Sequence, residues 1–363
     1  MSAADPRPVL VTGGAGFIGC NIADRLASKG HAVIIYDSLA RPGVERNLAW
    51  LEGRHGSAIR PVVADIRNAA LLTGAVEQAK AVFHMAAQVA VTTSLADPRT
   101  DFDVNVQGTF NLLEAARQCA VPPPVIFAST NKVYGGLEDI DFHLSGEAYA
   151  PADASLRDHG IGEDRPLDFH TPYGCSKGAA DQYVLDYGRS FDVPTAVLRM
   201  SCIYGQRQMG TEDQGWVAHF LISAIDGRPI TLYGDGWQVR DILDVRDAVD
   251  AYLAVWRNID RVRGRAFNLG GGPQNAVSLR QLLAYMGECL GRPVAIEAAD
   301  WRAGDQRYFV ADTRALEATL GVGARKPWRQ GVLDLAAWLT GERQALAAEQ
   351  DAAAPVRQAA GAL

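Results

Sequence analysis

Tyr173 and Lys177 stand four residues apart in Thr171-Pro172-Tyr173-Gly174-Cys175-Ser176-Lys177, where Pro172 suits the first turn of a helix. That spacing puts both side chains on one helical face. An ammonium beside a phenol stabilises the phenolate and moves a group that titrates near ~10 toward neutrality, so that it serves as a base toward an alcohol. An ordinary surface pair on a helix has the same spacing. What separates the two readings is the company the pair keeps.

That company begins at the N-terminus. Pro8-Val9-Leu10-Val11-Thr12 is a short apolar run that ends in Gly13-Gly14-Ala15-Gly16-Phe17-Ile18-Gly19, followed by helical apolar spacing from Cys20 to Ala27. The pattern predicts strand, glycine turn, helix. Glycines 13, 16 and 19 let the backbone turn tightly, approach a pyrophosphate and pack the helix on the sheet, with the helix N-terminus facing the anion. Any strand-to-helix turn can carry glycines, so the context decides. A second run, Ala32-Val33-Ile34-Ile35-Tyr36, ends in Asp37, eighteen residues after Gly19. A carboxylate there accepts from both ribose hydroxyls of an adenosine and repels a 2′-phosphate. With no basic residue before Arg41, the pattern predicts NAD rather than NADP.

Further strand signals recur at 61–64, 81–84, 125–128 and 195–198, separated by helical segments. This alternation predicts an α/β fold, a Rossmann-type doubly wound parallel sheet, whose ligands lie beyond the carboxyl ends of the strands. The residues to inspect there are Asp37, Asp65, Ala86-Ala87-Gln88, Ser129-Thr130-Asn131 and Met200-Ser201-Cys202. Asp65-Ile66 would hold an adenine edge or cap a helix. Asn105, early in a helix ending near Cys119, would steady neighbouring backbone. The stretch from Leu137 to His170, rich in Asp, Pro and Gly, interrupts the pattern and reads as a lid or substrate wall. After residue 205 a smaller mixed α/β substrate domain is expected over 206–340. Helices are expected at Trp216 to Ile225, Ser278 to Leu290 and Val332 to Leu339, with segments between 240 and 270 returning toward the first domain, residues 1–205. The alanine-rich residues 341–363 read as a tail without regular structure.

Composition narrows the function classes. The chain has 363 residues, 35 Lys plus Arg against 42 Asp plus Glu, a net charge of −7 and no basic tract that could track a nucleic acid. No apolar stretch is long enough for a bilayer and the first residues do not form a signal region, so a cytoplasmic location is expected. Cysteines 20, 119, 175, 202 and 289 lack metal-ligand spacing, which predicts reduced thiols and no metal.

The glycine turn, Asp37, His84-Met85-Ala86-Ala87, Ser129 to Gly135, Tyr173 with Lys177, and Arg199 to Gly205 together resemble an extended short-chain dehydrogenase/reductase of the nucleotide-sugar epimerase and dehydratase type, over residues 8 to 340. The resemblance implies Tyr173 as the acid/base, Lys177 as the group that binds the nicotinamide ribose and lowers the tyrosine pKa, and Thr130 as the holder of the reacting hydroxyl. It implies NAD contacts from Gly13, Gly16, Phe17, Ile18, Gly19, Asp37, Ser38, Asp65, Ile66, Ala86, Ala87, Gln88, Asn105, Ser129 and Met200, besides Tyr173 and Lys177. Substrate contacts would come from Asn131, Lys132, Cys202, Gln214, Val217, Arg240 and Arg307, the two arginines on the diphosphate of a sugar nucleotide. Cys202 departs from the family, where asparagine is common. Dehydratases of this type carry an Asp-Glu pair directly after the threonine; here Asn131-Lys132 stands there, which favours epimerisation or simple oxidation over elimination. The segments Ser129 to Gly135, Thr171 to Tyr187, Asp213 to Val217 and Gln238 to Asp241 are more similar to members that invert C2 of a CDP-sugar than to 4-epimerases of UDP- or GDP-sugars. A non-catalytic NAD-dependent binding protein on the same fold is the alternative of another class. Relatives also imply a homodimer or homotetramer, built on the helices that hold Asn105 to Cys119 and Tyr173 to Gly188.

Overall fold

The described residues form fifteen strands, the innermost of which follow from runs that are apolar on both faces. In chain order they are β1 (Val9–Thr12), β2 (Val33–Asp37), β3 (Ile59–Val63), β4 (Ala81–His84), β5 (Val125–Thr130), the hairpin β6 (Phe142–Ser145) and β7 (Ala148–Pro151), β8 (Thr195–Met200), β9 (Cys202–Tyr204), β10 (Ile230–Tyr233), β11 (Val239–Asp244), β12 (Arg265–Leu269), β13 (Ala276–Ser278), β14 (Ile296–Ala299) and β15 (Tyr308–Phe309). The computed structural model describes residues 5–302 and 304–360, with side-chain surroundings as far as Gln344.

Seven strands form one parallel sheet in the order β3-β2-β1-β4-β5-β8-β12. β1, β4 and β5 are buried along their whole length, as strands covered on both faces must be. Alternate residues serve opposite cores: Val9 and Val11 join Ile22, Leu26, Leu51 and Leu253 on one face, while Leu10 joins Leu72, Leu112, Leu113 and Val184 on the other. The order reverses between β1 and β4, so the ligand crevice lies beyond the carboxyl ends of these two strands.

The second unit packs around Val217, Leu221, Ile230, Leu282, Met286 and Val332. Its helix Leu279–Leu290 starts at a capping box of Ser278 and Gln281, a local device written in the sequence. β12 returns to the parallel sheet beside β8. β11 does not: it pairs with β9, β13 and β15 in a separate sheet. Arg207 joins the units by stacking on Trp50 (4.1 Å) and Trp338 (5.4 Å).

Residues 137–170 are ordered by their own hairpin and the helix Ala154–His159. The Tyr149 amide donates to the Trp237 carbonyl, the Ile161 amide to the Val310 carbonyl, and the Asp312 amide to the Ile161 carbonyl. Asn268 closes the set, its side chain donating to the Ile161 carbonyl and its amide to Glu163. Backbone pairing to β15 and its extension makes this segment a strap between the units, and Glu138 and His170 at its ends line a cleft with Lys132 and Asp305. The alanine-rich stretch, read from sequence as a tail, is traced as part of the helix Trp328–Ala360. No helix among the described residues is long and apolar enough to cross a membrane.

Candidate active site

The three glycines of the first turn are required for different reasons. A Cβ at Gly19 would lie 2.1 Å from the Gly13 carbonyl oxygen, and one at Gly13, whose φ is +64°, would lie 2.7 Å from the Ala86 nitrogen. Both sites are closed by backbone. A Cβ at Gly16 would meet only the Gly13 oxygen, at 3.1 Å, so this side of the turn opens onto the crevice at the start of the helix Phe17–Ser28. Backbone amides at a helix N-terminus with no side chain in front of them fit the pyrophosphate of a dinucleotide.

Asp37 ends β2 beside this cradle. Its Oδ2 accepts from the Ala15 amide (3.0 Å) and its Oδ1 from the Leu39 amide (2.9 Å), so it fixes the turn and keeps a lone pair on each oxygen for ribose hydroxyls. Phe17 and Ile18 pack against the core beside it and Ser38 is exposed. The carboxylate of Asp65 is taken by Arg67 in two bonds of 2.9 and 2.7 Å, and Asn68, not Asp65, caps the following helix. Ile66 is buried against Gly108.

Beyond β4, His84 is wholly buried and hydrogen-bonded to Thr12 (2.8 Å) and Thr109 (2.9 Å). Burial pulls its pKa down to about 3, with Lys177 adding to the effect, so it is neutral. Asn105 lies in a π-turn, Asp103–Gln107, that interrupts the helix. Its Oδ1 accepts from the Gln88 amide (2.9 Å), and its Nδ2 faces the Gln88 carbonyl (3.1 Å), Ser176 Oγ (3.0 Å) and Asp101 Oδ1 (3.2 Å). It thereby ties the Ala86-Ala87-Gln88 loop to the helix Thr171–Ser190.

That helix carries the reacting pair. Its first turn is fixed from outside, the Tyr173 amide donating to Ser94 Oγ (3.2 Å). Thr171, a β-branched residue ahead of a proline, sits at φ +62°, a strained conformation. Burial pushes the Tyr173 phenol up to about 12, against Thr130 at the end of β5, which favours the phenolate. Lys177 is pulled down to about 7 by burial, against the carboxylates of Asp181 and Asp101. Its Nζ lies 4.1 Å from the centre of the Phe127 ring. The expected lowering of Tyr173 by Lys177 is therefore not the balance this structure shows: desolvation acts on both groups, and in each it favours the neutral form. Asp181, one turn further on, accepts from Arg199 in two bonds of 3.0 Å and from Ser129 (2.7 Å). Met200 lies past Arg199, its sulfur accepting from Tyr252.

On the opposite wall Asn131 Nδ2 donates to Gln306 Oε1 (3.1 Å) and Lys132 Nζ to the Gly304 carbonyl (2.9 Å). Burial, reinforced by Arg240, pulls Lys132 down to about 8. Arg240 donates to Asp305 Oδ1 and the Gln306 carbonyl (2.6 Å each), and Cys202 accepts from the Trp216 indole (3.3 Å). Gln214 Oε1 is buried without a partner, while Val217 belongs to the core of the second unit. Arg307 is not brought to Arg240: it is exposed and lies over Tyr149 of the hairpin, 5.5 Å from the ring centre. Arg302, which the sequence reading passes over, stacks on Tyr233 at 3.8 Å and donates to the Glu212 carbonyl (3.0 Å), against the segment that holds Gln214. The signal was a pair of arginines flanking one turn. Among the described residues no three His, Cys, Asp or Glu side chains are grouped to hold a metal ion.

A profile of the NAD dependent epimerase/dehydratase family matches residues 9–270. The chain is 40% identical to the CDP-paratose 2-epimerase of Salmonella typhi, over 91% of this chain and 98% of that protein. It is 34% identical to the UDP-glucose 4-epimerase of Mycolicibacterium smegmatis, over 86% and 92%. Among solved structures, the UDP-glucose 4-epimerase of Thermus thermophilus in complex with NAD aligns with a TM-score of 0.78 at 30% identity, covering 92% of this chain and 99% of the other.

Proposed function

The chain belongs to the NAD dependent epimerase/dehydratase family and uses NAD, and from that premise we propose that it inverts C2 of a CDP-activated sugar, converting CDP-paratose to CDP-tyvelose through a transient ketosugar. The observation that carries the reading is the pair Asn131-Lys132 directly after Thr130: an amide and an ammonium stand where elimination of water needs two carboxyl groups. The 40% identical relative supports C2 and CDP.

A carbon bearing hydrogen and hydroxyl next to the anomeric centre has no acidic proton, so direct deprotonation there is very costly. NAD, when bound, supplies reversible two-electron oxidation of that carbon. Thr130 holds the reacting hydroxyl and Tyr173 takes its proton, then returns it after the sugar has turned its other face. Lys177 holds the nicotinamide ribose. The rotation requires a fixed diphosphate, a role we assign to Arg240 and Arg302 once Asp305 and Glu212 release them, with Lys132 as a further cation beside Arg240. The site residues act on one molecule in these roles.

The test is a panel of CDP-, UDP-, GDP- and dTDP-sugars read by NMR, with deuterium at C2 of the substrate. Retention of label at C2 without exchange with water is expected. Turnover of a UDP-sugar with inversion at C4 would replace the reading by a 4-epimerase, the activity named for the 34% identical relative. Failure to turn over any sugar nucleotide, with NAD bound, would favour a binding protein.

The quaternary proposal is a homodimer through the helices Gly108–Gln118 and Thr171–Ser190. They present Phe110 and Tyr183 edge to face at 6.0 Å, 42% and 46% exposed, an apolar face larger than either helix needs for its own sheet. A monomeric mass by light scattering at micromolar concentration would exclude it.

A further inference from the structure

Asp101 lies in the short helix Pro98–Phe102 beneath the reacting pair and is 1% exposed. Its Oδ1 accepts from Asn105 Nδ2, the same amide group that donates to Ser176 Oγ. Ser176 sits between Tyr173 and Lys177 on their helix, and its hydroxyl donates to the Tyr173 carbonyl (3.2 Å). Asp101 Oδ2 is buried with no hydrogen-bond partner. Burial pushes its pKa up, against the Ser176 hydroxyl and Lys177, so the carboxylate stays ionised here only where a charge answers it.

Its helix is capped by Asp97 and packs against Val91–Ala96, Asp103–Gln107 and Thr171–Ser190. The facing turns of the last of these carry Tyr173, Lys177 and Asp181. On its own side Asp103 is paired with Arg99 at the surface (2.8 Å). Arg199 is committed to Asp181, in two bonds of 3.0 Å. Among these groups Lys177 alone is a cation without a carboxylate of its own. Asp181 and Asp101 thus differ: the first is answered by a guanidinium, the second is not.

We propose that Asp101 is a positioning residue, a buried counter-charge to Lys177 that sets the pH range in which the Tyr173–Lys177 pair is competent. The proposal rests on the acid–base role assigned to that pair above. A fixed negative charge raises the proton affinity of every group near it. Both Tyr173 and Lys177 feel it in that direction. The working range opens with loss of the first proton from the Tyr173–Lys177 pair and closes with loss of the second. Both edges belong to the coupled pair, and both move up with the charge on Asp101.

Asp101→Asn removes the charge and keeps the shape. Expected is a slide of both edges of the kcat/KM profile to lower pH by about one unit, with no such slide in Asp103→Asn. A purely structural role would lower the rate and leave the edges in place, which would overturn the proposal. A second readout needs no substrate: the ultraviolet phenolate titration of the NAD-loaded protein, taken as the difference from Tyr173→Phe, should fall by the same amount in Asp101→Asn. If that titration moves while no sugar nucleotide is turned over, the electrostatic role stands and the functional reading fails. If it stays while turnover is normal, the role fails and the function stands. Should Asp101→Asn not fold, carboxyl-carbon NMR of wild-type protein decides: Asp101 ionised through neutral pH supports the proposal, and a proton retained on it there overturns it.

Discussion

The two walls of the crevice are built by different means. The cofactor wall is backbone: the turn Gly13 to Gly19, the Ala15 amide on Asp37, and the Gln88 loop clamped by Asn105. Its side chains already hold the partners that fix their geometry, with lone pairs to spare. The opposite wall, proposed to take the sugar nucleotide, is made of long side chains from both units, and its arginines are engaged by carboxylates and carbonyls of their own chain, Arg240 by Asp305 and Arg302 by Glu212. One wall is preformed and the other, in its proposed role, must exchange partners. The first costs little reorganisation on binding; the second makes affinity depend on breaking internal ion pairs.

Four measurements bear on that contrast. The largest effect is expected from Tyr173→Phe, which removes the proton acceptor and lowers turnover by at least ~10²–10⁴-fold. NAD content after purification should not change, because the cradle is untouched; loss of NAD would show that the walls are not separable. Asp37→Ala strikes the cradle, losing a charged acceptor for the ribose and the bond that fixes Ala15. A loss of NAD affinity of about 1.5–3 kcal/mol is expected, measured by calorimetry. On the other wall, Arg302→Ala should raise KM about tenfold or more, while Arg307→Ala stays within about twofold. Equal effects would erase the distinction drawn from their stacking partners, Tyr233 and Tyr149.

The smallest effect is on stability. His84 sits below the cradle with its folded pKa near 3, well under the value of about 6.5 for an exposed imidazole. The unfolded chain therefore binds the extra proton between these values, so His84 contributes full stability above pH ~6.5, and this is lost as pH falls toward 3. Melting temperature measured across that window should drop, less steeply in His84→Asn.

What the sequence made legible follows the same division. The glycine turn, Asp37 and the Tyr173–Lys177 spacing are local, because a turn, a strand end and one helical face each fit within a few residues. Local too is the capping box at Ser278. The N-cap reading of Asp65 missed because Arg67, two residues on, competes for the carboxylate, and Asn68 is the better placed cap. Arg307 lies exposed over Tyr149, a placement that no sequence window reveals because one residue of register in a strand reverses a side chain. The strap escaped recognition because its hairpin pairs with partners more than 80 residues distant, such as Trp237 with Tyr149, which no window of sequence contains.

That strap limits the motions open to the molecule. Its amides and carbonyls are spoken for by Val310, Asp312 and Trp237 of one unit, while Asn268 on β12 holds it to the sheet of the other. Swinging the two units apart would break these bonds together, and none of the residues involved is a free glycine hinge. The remaining degrees of freedom lie at the rim, where Arg302, Asp305 and the Glu212 segment meet through side chains. Under the proposed function, admission of substrate is an unbuttoning of that rim while the strap holds the two units together.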